Sequence, residues 1–73
     1  MLEKRSFSLS GHRTSVALEP EFWAALEHIA AQRAQPLLGL VTGLDSERAQ
    51  GQPLASALRI FALHNARTMP PDP

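Results

Sequence analysis

Residues 12–33 read HRTSVALEPEFWAALEHIAAQR, and this stretch decides the fold. Its first seven residues alternate. Thr14, Val16 and Leu18 fall on one side, and Arg13, Ser15 and Ala17 on the other. Period-two alternation bounded by Gly11 and Pro20 predicts a strand with one buried face. Pro20 then opens a helix, because the amide it lacks would have no partner in the first turn, and Glu19 and Glu21 suit the positive end of the helix dipole. Phe22, Leu26, Ile29, Ala30 and Arg33 recur at helical spacing, with Glu27, His28 and Gln32 on the wet side. The spacing predicts a helix from Pro20 to about Arg33.

Outward from this stretch, Pro36 forces a break, since the residue before proline avoids helical geometry. A second helix is expected from near Pro36 to about Arg48, with Leu37, Leu40, Val41 and Leu44 on its apolar face. Ala49 to Pro53 is a turn, and a third helix begins at Pro53 or Leu54 with Leu54, Ala57, Leu58, Phe61 and Ala62 at helical spacing. We therefore expect one domain over 4–67 and an unstructured tail over 68–73, TMPPDP, rich in proline. The class is mainly α: one strand, two helices and an additional C-terminal helix.

A single strand needs partners for its backbone groups. The chain offers one weak candidate, residues 4–10, where Phe7 and Leu9 alternate with Ser6, Ser8 and Ser10 before Gly11 interrupts. Without that partner the strand must pair across a homodimer. Size points the same way. A chain of 73 residues buries only roughly 60% of its unfolded surface. It has no cysteine, so neither disulfides nor thiolate metal sites can reinforce it. An obligate homodimer is expected.

Composition narrows the function. No apolar run approaches the roughly 20 residues of a membrane helix, and MLEKRSFSLS lacks the apolar stretch of a signal peptide. A cytoplasmic protein with no membrane partner is expected. His12, His28 and His64 are scattered, Asp45 and Glu47 face different sides of a helix, and no glycine-rich phosphate loop occurs. Neither an enzyme nor a cofactor or metal is expected. Seven basic and seven acidic residues balance, but unevenly: residues 1–15 carry +2, residues 16–50 carry −3 and residues 51–73 carry +1. An anion-binding surface belongs at the N-terminal end.

At this point the sequence resembles a known family. RTSVALEPEFWAALEHIAAQR looks like the strand and first helix of the ribbon-helix-helix, or MetJ/Arc-type, DNA-binding proteins. GHRTSVALEPEFWAALEHIA, followed by a leucine-rich helix and LASALRIF, is similar to a short bacterial branch of that family over about residues 4–67. The resemblance implies a homodimer whose two strands, one per subunit, form an antiparallel ribbon in the major groove of double-stranded DNA. It puts Arg13, Ser15 and Ala17 toward base edges and Thr14, Val16 and Leu18 into the core. His12 falls where a phosphate could be met, and Lys4 with Arg5 forms a short basic arm for phosphates. In the family the second helix usually opens with Ser, Thr or Asn, and its N-terminal backbone amides clamp a phosphate. Here the opening is Gln35-Pro36, which loses one amide donor to proline and leaves Gln35 to take that place. The implied role is transcription regulation. The alternative is a protein-interaction module, antitoxin-like or adaptor, that recruits a protein partner through the apolar C-terminal helix.

Overall fold

The structure, a computed structural model, describes residues 1–66, and the tail expected over 68–73 lies outside them. Two antiparallel strands, β1 (Glu3–Leu9) and β2 (His12–Leu18), precede three helices: α1 (Pro20–Gln32), α2 (Leu37–Glu47) and α3 (Leu54–Ala66). The expected order of strand, helix, helix and added helix stands.

The partner of β2 lies in its own chain. β1 pairs with it throughout, from Leu9 opposite His12 to Glu3 opposite Leu18. The pairing requirement that pointed to another chain is thus met on one edge by the weaker sequence candidate. The cause is the turn. Ser10 and Gly11 both have positive φ, 49° and 82°, as in the two-residue hairpin turns whose twist matches that of the strands. Glycine takes this geometry without steric cost. A loop this short also closes at little entropic expense. The turn fixes a register that puts Phe7, Leu9, Val16 and Leu18 on one face, and Leu9, Val16 and Leu18 are buried.

The helices cover that face. Trp23, Leu26, Ile29 and Ala30 of α1, Leu40 and Val41 of α2, and Leu58 and Ala62 of α3 complete the core. Trp23, 1% exposed, ties β1 to α1: its indole Nε1 donates to the Glu3 carbonyl at 2.8 Å and its ring lies 5.8 Å from that of Phe7. At the same end of the strands, α1 is tied to α3. The Arg59 guanidinium donates to Glu19 Oε1 at 3.0 Å and lies 5.8 Å from the Phe22 ring. A backbone hydrogen bond at Glu19, then Arg59, holds the Glu19 carboxyl below the usual carboxylate range. On α3, Ile60 (45% exposed) and Leu63 (54%) stay in solvent.

Helix α1 ends on a left-handed residue. The Gln35 amide donates to the Ala30 carbonyl at 3.0 Å and the Ala34 amide to the Ala31 carbonyl at 3.1 Å. This is the double bond of a Schellman motif, which usually has glycine at the position taken here by Ala34. Ala34 has φ of 53°, a conformation costing a residue with a Cβ roughly 1–2 kcal/mol. Ala34→Gly should therefore raise stability, by about 1 kcal/mol after the greater entropy of glycine in the unfolded chain is subtracted. A urea melt showing no gain would mean that the Ala34 methyl group contributes packing that offsets its strain.

Candidate nucleic-acid interface

The face of the hairpin turned away from the helices carries Lys4, Ser6 and Ser8 from β1 and Arg13, Ser15 and Ala17 from β2. The register pairs them as Lys4 with Ala17, Ser6 with Ser15, and Ser8 with Arg13. All are exposed except Ala17, which is half-buried. Ser6 and Ser15 share a hydrogen bond across the sheet, with their hydroxyl oxygens 3.0 Å apart. Along β2 the outward side chains repeat every roughly 6.7 Å, twice the rise of a strand residue, and the two strands stand about 4.8 Å apart.

Charge is sorted between the two faces. Glu3 and Arg5 lie on the helix side, where Arg5 donates to Glu3 and to Glu27 at 2.6 Å each and its guanidinium lies 4.8 Å from the Trp23 ring centroid. The Glu27 and then the Glu3 hydrogen bonds raise the Arg5 pKa further above its ordinary value. Arg48 pairs with Asp45 and Arg59 with Glu19. Arg33 lies over the Phe61 ring at 5.1 Å. Among the described residues, Lys4 and Arg13 are in none of the ion pairs, and both are on the outward face. That face carries no carboxylate.

Several residues read from the sequence are placed elsewhere. The basic arm does not form: Lys4 and Arg5 are successive strand residues and so point to opposite faces. His12 shares its face with Thr14, not Arg13, and lies at the hairpin tip beside Ser10, Asp45, Arg48 and Leu54. Gln35 is not on the hairpin's outward face and lines a groove with Arg33, Gly39, Gly43 and Phe61. Pro36 is the N-cap of α2, with φ of −69° and ψ of 156°, and the first helical bond runs from the Leu40 amide to its carbonyl at 3.2 Å. The position that proline fills needs no helical amide, so Leu37, Leu38 and Gly39 keep theirs; the expected loss of one donor does not occur. Sequence reasoning put Ser6 and Ser8 on the polar side of 4–10 but gave them no part in the site. The Ser-Gly pair between two alternating runs was the signal that joins them to Arg13 and Ser15.

A ribbon with a polar, cation-bearing outer face, backed by helices on the other, is the build of a small class of DNA-binding regulators rather than of enzymes. The chain matches a family model described as "Ribbon-helix-helix domain" over residues 2–66, and it belongs to that family. No curated protein and no solved structure matches it. No helix among the described residues is long and apolar enough to cross a membrane.

Proposed function

We propose that the protein is a homodimeric transcription regulator of the bacterial cytoplasm that lays the outward face of its hairpins on duplex DNA. The observation that carries this reading is the charge sorting. Of the three side-chain cations without an ion-pair partner among the described residues, Arg33 stacks on Phe61, while Lys4 and Arg13 lie together on one face free of carboxylates, and β1's own acid, Glu3, faces the helices and Arg5. Such a face attracts a polyanion, and phosphate neutralisation supplies most of the affinity of DNA-binding proteins.

The dimer uses the second edge of β2. The described sheet has two strands, so β2 keeps one edge of unpaired backbone groups, a template for another strand. Two copies related by a twofold axis pair β2 with β2 and place Arg13, Ser15 and Ala17 of both over the groove. Of these, arginine can bond guanine through two donors. Lys4 meets phosphate. Arg5 and His12 belong to the other face. The amino end of α2, beside Gln35, is the family's phosphate clamp and retains its amides.

Anisotropy of a labelled duplex across a salt series tests this, with sedimentation on the same samples. The expected result is a dimer whose log affinity falls linearly with log salt. Lys4→Ala should make that slope shallower by about 1.8 per dimer, at 0.9 for each of two lost phosphate contacts. Absence of binding at low salt would overturn the reading and favour the protein-interaction module, for which the exposed Ile60 and Leu63 of α3 supply the apolar surface.

A further inference from the structure

We propose that in the DNA complex the outer strand β1 of each subunit rides on the phosphate wall of the major groove, leaving Arg13 as the one residue per subunit that reads a base. This inference rests on the proposed dimer and its DNA-binding face, and it follows from the presence of two strands in each chain.

Pairing through β2 gives a sheet in the order β1, β2, β2 of the partner, β1 of the partner. Four strands about 4.8 Å apart put the outer two roughly 14 Å from one another. The major groove is about 12 Å wide and about 8.5 Å deep. A lone two-stranded ribbon can sink into such a groove, but this sheet is wider than the opening and must span it. The two β2 strands then lie over the groove, while each β1 lies over a phosphate ridge.

Side-chain length decides the rest. With the sheet resting at the height of the walls, a base edge is within reach only of a long side chain and its hydrogen bond, itself about 2.9 Å. Arg13 has that length. Ser15 and Ala17, with one carbon beyond the backbone, do not. The Ser15 hydroxyl is instead engaged by Ser6 across the sheet at 3.0 Å, which orients the Ser6 hydroxyl on the strand above the phosphates. Ser8, opposite Arg13, and Lys4, opposite Ala17, complete the row. Every outward residue of β1 is therefore a hydroxyl or an ammonium, the groups that contact phosphate oxygens. A strand meant only to shield the edge of β2 would tolerate a carboxylate in any of these positions.

The experiment first selects a preferred duplex from a random pool using the full-length protein. Affinities are then measured on that duplex and on a scrambled one for six proteins, each checked for helix content by circular dichroism. Arg13→Ala should collapse the ratio between the two duplexes toward one. Ser15→Ala and Ala17→Ser should each leave that ratio within about twofold of wild type. Ser8→Asp should weaken binding to both duplexes, and more on the preferred one, because the carboxylate also faces Arg13 across the sheet. Ser8→Lys should strengthen binding to both and steepen the log–log salt slope by about 1.8 per dimer. It serves as the opposite-sign control should the aspartate disturb the hairpin.

A changed base preference in Ser15→Ala or Ala17→Ser overturns the proposal, as does indifference of both Ser8 variants. These failures leave the DNA-binding reading intact, because wild type still binds and still depends on Arg13. Failure of wild type to bind any duplex removes both.

Discussion

Trp23→Ala should leave the chain unfolded, or close to it, at room temperature. The indole is 1% exposed and is the largest side chain in the core. Truncating such a residue costs about 3–5 kcal/mol. At 0.05–0.15 kcal/mol per residue, a chain of this size has only about 4–11 kcal/mol in hand. The loss also falls on the hairpin, because the indole N–H is what holds the Glu3 carbonyl at 2.8 Å and the ring supports Arg5 and Phe7. A urea melt followed by circular dichroism reads the effect. Glu27→Gln is the contrast: it breaks the ion pair to Arg5, both of whose side chains are substantially exposed, and such pairs contribute less than about 1 kcal/mol. If the two variants melted alike, the hairpin would be held by the ion pairs and not by the tryptophan.

The second large effect concerns recognition. Arg13→Ala should cost about 2–6 kcal/mol per dimer on a preferred site, since each of two bidentate guanine contacts is worth about 1–3 kcal/mol. That corresponds to a loss of roughly 30-fold to 10⁴-fold in affinity. On random DNA the loss should be far smaller, that of a cation near phosphates. Arg13 is exposed and outward, so the fold should survive the change. Equal losses on both kinds of DNA would make it a phosphate contact, and no loss on either would remove the hairpin from the interface.

Much of this architecture was legible from residue spacing. The alternation over 12–18 assigned the buried and exposed sides of β2 as the structure has them, because a half-buried strand admits only one phase. Pro20 and the recurrence of Leu26, Ile29 and Ala30 marked α1 equally well. The hairpin was less legible. Serine is an uncommon residue at positive φ, so Ser10-Gly11 is a poorer turn signal than Asn-Gly, and Gly11 reads as an interruption instead of a reversal. Once β1 is a strand, the basic arm dissolves, since Lys4 and Arg5 cannot share a face. Arg5 was misread for a second reason: its partners Glu27 and Trp23 are distant in sequence, and only the packed hairpin brings them to it. The second helix, expected to start near Pro36, starts at Leu37 with Pro36 as its cap, and that position decides whether an amide is lost.

The hairpin turn at Ser10 and Gly11 also separates two events. By pairing β2 within its own chain, it lets each copy close its core before it meets another. For the proposed homodimer, folding is then a local, concentration-independent step, unlike the obligate coupling expected from the sequence, and dimerisation is a later encounter between finished surfaces. Below the dissociation constant of that proposed dimer, the population able to grip DNA would scale with the square of the chain concentration, while dissociated copies would keep the core closed by their own hairpin. A cell that halves its supply of this protein would lose about three-quarters of the competent dimer without handing the remainder to proteases. The two-residue turn would thus convert a modest change in synthesis into a sharper change in promoter occupancy, and the response could be reversed by new synthesis alone.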